Sequence, residues 1–373
     1  MSDEDVGTEA RLRAALRAHA QPAEGAAARL VPAVRDGLAH RPARRLAWLG
    51  ALAAVALAAG TVPYVLRVNS PEPAPPAVTL PAVTALPADW RWESSLGLQA
   101  AVPGGWAVND YGCNQTDQPS VVLGGGTTEL CLTPEPPTKE IAAFERWGDQ
   151  LAAEQVLERA LLDPTAPRTA LSVDGFAAQR VVGQLADGRT AGVVLVPDRG
   201  AALTVRARTE ATALTILASL RVVEVDHVGC PALRPAVAPP AQTGPSLVDP
   251  APTAIALCFY GTDQNPGGWA DLLSSGQLTG DDAAALATLV NTASPGPNPD
   301  VPATECILEP TPPDIVLLVH GSGGEQRIWI SFSGCVDRGV TDGGTVVQVN
   351  RRVVAAIMGA LQIGYAFHGS LPS

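Results

Sequence analysis

The feature that most constrains this chain is a run of 21 uncharged residues, Leu46–Leu66, rich in Leu, Ala and Val. As a helix rising about 1.5 Å per residue, this run would be about 30 Å long, which is the thickness of the hydrocarbon core of a bilayer. The sequence therefore predicts a single transmembrane helix over residues 46–66, with a head before it and further domains after it.

The flanking charges predict which side of the membrane each part occupies. Arg41, Arg44 and Arg45 precede the run, and only Arg67 follows it closely. Because positive charge stays on the cytoplasmic side, we expect a cytoplasmic N-terminus and extracytoplasmic C-terminal domains. A cleaved signal peptide is one alternative, but such peptides have about 15–30 residues in total, and about 45 residues precede this run. The second alternative is a buried helix of a soluble domain. The arginines before the run and the prolines after it disfavour this alternative.

The charge of the chain is unevenly distributed. Before Val68 there are nine arginines and six acidic residues, and from Val68 onward there are 16 basic and 31 acidic residues. An acidic surface repels nucleic acid, so we expect no nucleic-acid partner for the exported part.

Composition shifts divide the chain into segments. The head, 1–45, holds a predicted helix over Thr8–Ala20 and a second helical segment from about residue 26 to 39; it is either disordered or docked on a cytoplasmic partner. The other segments are a proline-rich linker (67–89), a first exported domain (90–228), a proline-rich interdomain segment (229–253), a second exported domain (254–365) and a tail (366–373).

The patterns inside the two exported domains predict the α+β class. A helix is expected around Ile141–Leu162, a hairpin turns at Asp187–Gly188, and Thr209 is the N-cap of a further helix. Thr279 and Asp282 have the spacing of a capping box. Strands in meander with helices set apart predict two small, disulfide-stapled α+β domains with mostly antiparallel sheets.

All six cysteines follow the apolar run: Cys113, Cys131, Cys230, Cys258, Cys306 and Cys335. An even number confined to the exported part is typical of structural disulfides in an oxidising compartment. Cys113 and Cys131 are the economical first pair. The other four allow three connectivities, of which the short loops favour Cys230–Cys258 and Cys306–Cys335. Zinc binding or redox catalysis would require close Cys-x-x-Cys pairs, and the sequence has none.

Few residues suggest chemistry. His320 and Ser322 lie in "LLVHGSGGE". These two residues either form the Ser–His dyad of a hydrolase or are polar residues of a β-turn. "LGGGTTE" lacks the lysine of a phosphate-binding loop. Trp106, in "VPGGW", either packs on a core or forms part of a binding rim. The sequence therefore predicts no cofactor, no metal and no catalytic residue.

Two groups of motifs carry a resemblance to known proteins. "VPGGWAVNDYGC … LCL" and the later "ALCFY … SGC" resemble the exported part of uncharacterised actinobacterial single-pass membrane proteins with a short Arg-rich cytoplasmic head. "VPGGW" and "ILASLRVVE" are similar to segments of secreted lipoproteins with PsbP-like domains. The single lysine, Lys139, against 24 arginines is typical of a GC-rich genome. The resemblance implies the topology and a disulfide framework, and it implies no active-site residue.

Three functional hypotheses follow. The first is a membrane-anchored, non-catalytic cell-envelope protein that binds a ligand or protein partner through its exported domains. The second is a transmembrane, anti-sigma-like regulator that uses its cytoplasmic head, because some proteins of the similar group accompany extracytoplasmic-function sigma factors. The third is an envelope hydrolase.

Overall fold

The structure is a computed structural model, and it describes residues 78–79, 86–111, 115–124, 136, 138–146, 152–235, 246–264, 270–302, 314–332, 334–363 and 371. The residues Pro71–Ser373 form one compact unit. The predicted head, the predicted transmembrane run and Arg41, Arg44 and Arg45 lie outside the described residues.

The elements follow one another in this order. The strands of the first half are β1 (Val78–Thr79), β2 (Trp90–Ser95), β3 (Leu98–Pro103), β4 (Ala107–Val108), β5 (Ser120–Val122), β6 (Ile141–Arg146), β7 (Thr169–Val173), β8 (Phe176–Gln184), β9 (Thr190–Val196), β10 (Ala201–Ala207) and β11 (Arg221–Val222). Those of the second half are β12 (Ala254–Gln264), β13 (Ala270–Thr279), β14 (Asp314–Gly321), β15 (Gly324–Ser331), β16 (Gly339–Thr341) and β17 (Val346–Val347). The α-helices are α1 (Ala153–Arg159), α2 (Glu210–Ala218), α3 (Gly280–Asn291) and α4 (Arg351–Leu361), and a 3-10 turn spans Pro197–Arg199.

The first half is built on an eight-stranded sheet, ordered β1-β7-β8-β9-β10-β6-β5-β4. Its central strands are antiparallel, whereas β1 pairs with β7 in parallel and β4, β5 and β6 are parallel neighbours. Helix α2 and a three-stranded sheet, β11-β3-β2, pack on one face of the large sheet, and α1 packs on the other. Both faces are therefore buried, so β9 is buried at every position instead of alternating.

The second half is a six-stranded sheet, ordered β13-β12-β14-β15-β16-β17, with antiparallel pairing throughout. Helices α3 and α4 cover one face through a cluster that includes Leu286, Val290 and Ile357. The opposite face carries a smaller cluster around Cys258 and Tyr260. One buried face on each helix thus accounts for the apolar residues in that helix.

The two halves meet along a seam where an edge strand of each sheet ends. The backbone N–H of Leu96 donates to Leu272 O at 2.7 Å, and the N–H of Leu272 donates to Ala232 O at 2.9 Å. An ion pair, Arg146 Nη2 to Asp271 Oδ2 at 2.7 Å, crosses the same seam. Exposed edge strands are prone to pairing with other chains. Here Leu96, directly after β2, and Ala232 satisfy backbone groups of Leu272 on the edge strand β13.

The predicted fold class, α+β with one transmembrane helix and two small disulfide-stapled domains, is wrong for the described part of the chain. This part is mostly β, with 17 strands in three sheets against four α-helices. Within the described ranges, no helix has both the length and the apolar character needed to cross a membrane. The predicted span, 46–66, falls outside those ranges, so the anchor stays a prediction.

The helix expected around Ile141–Leu162 is the clearest local error. Its first part is strand β6, which lies between β5 and β10, and among the described residues of this range only Ala153–Arg159 form an α-helix. Ile141, Ala142 and Phe144 are all buried. Pairing on both sides and burial on both faces override the helix propensity of Ala and Glu here.

Candidate functional site: a loop fixed by a buried lysine

Between β4 and β5 the chain forms a loop, which we call the Asp110 loop and define as residues 109–111 and 115–118. Asn109 opens it in a left-handed conformation, with φ of 55°. Its Oδ1 accepts the N–H of Leu123 at 2.8 Å, and its Nδ2 donates to Gln362 O at 3.0 Å. Asparagine tolerates this conformation better than most residues do. The first residue of the loop is therefore fixed both to the first half and to the end of α4.

Asp110 and Thr116 close the loop from inside. The carboxylate of Asp110 accepts the Thr116 N–H at 2.9 Å on Oδ1 and the Thr116 hydroxyl on Oδ2. The N–H of Asp110 donates to Ser120 Oγ at 3.0 Å, and the N–H of Gln118 donates to Thr116 Oγ1 at 3.1 Å. Burial raises the pKa of Asp110, but the bonds from Thr116 and the ammonium of Lys139 lower it more, so its net pKa lies below the usual range.

Lys139 holds the two sides of the loop together. It is the only lysine in the sequence, and its side chain is fully buried. Its Nζ donates to Thr116 O at 2.8 Å and to Asp110 O, and it lies 3.3 Å from Asp110 Oδ2. The ammonium thus meets three oxygens, which matches its three N–H donors.

A second buried cation fixes Lys139 itself. Arg189, 5% exposed, donates through Nη1 to Lys139 O. Its Nη2 lies 2.7 Å from Asp187 Oδ2, in the turn between β8 and β9. Lys139 N–H donates in turn to Pro136 O at 3.0 Å. The loop is therefore tied through Lys139 to the turn of the β8–β9 hairpin.

The loop presents Tyr111. Six large hydrophobic residues are exposed in the described part, and Tyr111, at 38% exposed, is the only aromatic one among them. Its N–H donates to Asn109 O at 2.8 Å, so its backbone belongs to the fixed part of the loop. The result is an aromatic side chain in solvent on a backbone that buried charges hold in place.

The polar side chains at the seam form a second, enclosed cluster. Asp226 Oδ1 accepts the N–H groups of Val228 at 3.0 Å and Cys230 at 2.7 Å, and Oδ2 accepts the hydroxyl of Ser275. Asp226 is 7% exposed. Its carboxylate therefore ties the segment after β11 to β13, with its acceptors occupied by internal donors.

A Ser–His contact that the sequence did not predict lies beside this cluster. Ser94 Oγ is 3.3 Å from His227 Nδ1, but Ser94 also donates to Gln99 Oε1 at 3.0 Å and is 1% exposed. Burial lowers the pKa of His227, and the negative charge of Asp226 offsets this only in part. A nucleophile must reach its substrate. Ser94 is buried and its hydroxyl already donates to Gln99, so its contact with His227 suits a structural hydrogen bond.

A disulfide, Cys230–Cys258, lies in the same region, with a Cα–Cα distance of 5.5 Å and both residues fully buried. This is the pairing that the short loop favours. Tyr260, two residues further along β12, donates its hydroxyl to Pro231 O at 2.9 Å, and burial together with Asp226 raises its pKa. The bridge and this bond fix the start of the interdomain segment to β12.

The remaining cysteines and the candidate rim residue have different outcomes. Cys335 is disulfide-bonded. Cys113, Cys131 and Cys306 lie outside the described residues, so the pairings predicted for them stay predictions. Trp106 is 8% exposed and packs in the core of the first half. The structure therefore confirms the first of the two alternatives for Trp106, which is packing on a core.

Ser322 and His320, the functional alternative at this turn, form no hydrogen bond with each other in the described structure. Ser322 is exposed in the turn between β14 and β15, whereas the backbone oxygen of His320 accepts from Thr253 N at 2.7 Å and from its hydroxyl at 3.0 Å. Within the described ranges, no group of three or more His, Cys, Asp or Glu side chains could hold a metal ion.

Comparisons with known proteins add no assignment: no family model, no curated protein and no solved structure matches this chain. The resemblance to actinobacterial single-pass proteins stays a prediction.

Sequence reasoning treated Lys139 as a mark of genome composition and missed its position. One feature of the sequence could have drawn attention to this position: Lys139 is a lysine in a chain whose other basic residues, apart from histidine, are all arginine.

Proposed function

We propose that this protein is a non-catalytic protein of the cell envelope that binds a protein partner or ligand, with Tyr111 and the Asp110 loop as the contact surface. The observation that carries the proposal is the exposed Tyr111 on a loop whose two sides are joined by the buried Lys139. Attachment to the membrane through residues 46–66 stays a prediction from the sequence.

The energetics of the loop support a binding role. Transfer of an ammonium from water to the protein interior is unfavourable even when the charge is paired. A well-packed apolar side chain would usually stabilise the fold as much or more. What Lys139 provides here is a direct link between the two described sides of the loop, Asp110 and Thr116. A fixed loop loses little entropy on binding, and tyrosine contributes a large amphipathic contact area with few rotamers to restrict.

The other described features are consistent with an exported binding protein. The buried Cys230–Cys258 bridge is typical of compartments that are oxidising. In the contact between Ser94 and His227, the serine is buried and its hydroxyl donates to Gln99, so it is not accessible as a nucleophile. These observations favour binding over the hydrolase hypothesis.

The test is site-specific photo-cross-linking in the producing cells. A benzoylphenylalanine is placed at Tyr111 in the full chain and, as the control, at Leu161, which is more exposed at 54%. We expect a discrete adduct from position 111 that is absent from position 161. Equal adducts from both positions, or no adduct from position 111, would refute the proposal.

The regulator hypothesis has its own test, because its head lies outside the described residues. Deleting Met1–His40 leaves the exported part intact. Under our proposal the adduct at Tyr111 persists in this variant, and transcription is unchanged. A transcriptional response to the deletion together with a lost adduct would favour the regulator.

A further inference from the structure

Arg199 ends the 3-10 turn between β9 and β10, and its guanidinium lies over the ring of Phe176, with Cζ 4.8 Å from the ring centroid. Phe176 is the first residue of β8 and packs against the core of the first half. Stacking of a guanidinium on an aromatic face is favourable and fixes the plane of the cation. One face of the Arg199 guanidinium is therefore held against a ring that the core itself positions.

The donors of Arg199 have no acceptor. Among the described residues, its side chain makes no hydrogen bond and no ion pair, and its Nε is buried without a partner. The two terminal nitrogens also lack a hydrogen bond, but unlike Nε they are not buried. Gly97 borders them, because a Cβ built at Gly97 would lie 3.9 Å from Nη1. Its φ of 71° favours glycine, so no side chain shields the guanidinium from this side.

The missing acid partner contrasts with the composition of the chain. From Val68 onward, acidic residues outnumber basic ones by 31 to 16. Other arginines use this excess, since Arg91, Arg168 and Arg327 each form an ion pair with a glutamate. Arg199 follows Asp198 directly in the sequence but forms no ion pair with it. A guanidinium that is charged, fixed and unpaired can donate to a ligand and loses little side-chain entropy on binding.

We propose that Arg199 and Phe176 form a binding site for a carboxylate, carried by a small acid or by the free C-terminus of a peptide. The planar guanidinium offers parallel N–H donors, one from each terminal nitrogen, and these fit the two oxygens of a carboxylate. The acidic balance of the chain disfavours a multiply charged anion. This site lies on other elements than the Asp110 loop and does not depend on the partner proposed for that loop.

The test measures how fast phenylglyoxal, which reacts with the terminal nitrogens of arginine, modifies Arg199 in the full chain. Peptide mapping by mass spectrometry gives the modification rate of each arginine. The probes are acetate and N-acetylalanine at constant ionic strength, and N-acetylalaninamide is the matched probe without a charge. Arg352, an exposed arginine in the first turn of α4, is the internal control.

A carboxylate in the site covers the terminal nitrogens, so a probe at about four times its Kd should slow the modification of Arg199 about fivefold. The amide should have no such effect, and Arg352 should react at the same rate throughout. Slowing by acetate indicates a small acid, whereas slowing by N-acetylalanine alone indicates the end of a peptide; both results support the site. Equal slowing at Arg352, equal slowing by the amide, or no slowing by either carboxylate up to about 0.1 M would refute it.

Phe176→Leu tests the contribution of the ring, because leucine keeps an apolar side chain at this position and removes only the aromatic face. Arg199 should still react with phenylglyoxal in this variant, but protection by the carboxylate should fall at least about threefold because the guanidinium is no longer held in one plane. Protection equal to that of the parent would show that the two residues do not act as one site. If the variant fails to fold, the measurements on the parent chain decide the proposal alone.

Discussion

Replacing Lys139 by methionine tests whether the buried ammonium holds the Asp110 loop. Methionine keeps most of the aliphatic length of the side chain and removes only the charge and the three donors. Thr116 O, Asp110 O and Asp110 Oδ2 would then each lose a donor. We expect the loop to open locally to water, while the sheets beneath it stay folded.

The size of the effect follows from opposing terms. Each hydrogen bond from a charged group contributes about 1.5–3 kcal/mol net, and Lys139 makes two such bonds and one ion pair. These net values already include the cost of desolvating the ammonium, and water that enters the opened loop recovers part of the loss. The balance is a loss of about 2–3 kcal/mol, which corresponds to roughly a 30- to 150-fold increase in local opening.

Hydrogen–deuterium exchange read by mass spectrometry measures this opening. The amides of Thr116, Gln118 and Leu123 donate to loop side chains and should exchange faster by that factor. The matched control is Arg327→Met, which removes an exposed ion pair with Glu325 and should change exchange little. If Lys139→Met changes the three loop amides by less than about twofold, Lys139 does not hold the loop.

Three further predictions concern stability. The double variant Cys230→Ala/Cys258→Ala should lose about 3.5 kcal/mol in chemical denaturation, as expected for closing a loop with a sequence separation of 28; an unchanged midpoint would contradict a structural role. His227 has a folded pKa below its unfolded value, so its contribution to stability is present above about pH 6.5 and is lost as pH falls through the folded pKa. The stability difference between His227→Gln and the parent should therefore change between pH 7.5 and 5, and a constant difference would refute the assignment. Trp106→Ala should cost about 3–5 kcal/mol because Trp106 is a core residue, whereas a loss below about 1 kcal/mol would indicate a rim residue.

The sequence predicts much of the local structure but not the fold class. The β8–β9 hairpin and the helix capped by Thr209 are both present where the patterns indicate them. Strands of two or three residues, such as Ala107–Val108 and Val346–Val347, are too short to show a detectable periodicity. Such strands, together with the misassigned Ile141–Arg146, turn an apparent α+β chain into a mostly β one.

The candidate site was less predictable than the fold. Trp106 attracted attention as a large aromatic after a turn, but its backbone oxygen accepts from Arg91 at 2.8 Å and its ring is buried. Tyr111 and Lys139 are 28 positions apart, and no short motif links them. Their relation exists only because β5 and β6 are parallel neighbours, which brings the residue before β6 beside the loop before β5.

The identity of the cation at position 139 follows from the same geometry. The cavity offers three oxygens around one point, and an ammonium is a compact charge with three donors that fits this arrangement. A guanidinium is planar and carries five donors, so two would remain unsatisfied at zero exposure, and each would cost about 1–3 kcal/mol. Lys139→Arg should therefore not preserve the protection of the Thr116 amide. This gives a physical reason why a chain that otherwise uses arginine throughout has lysine at this position.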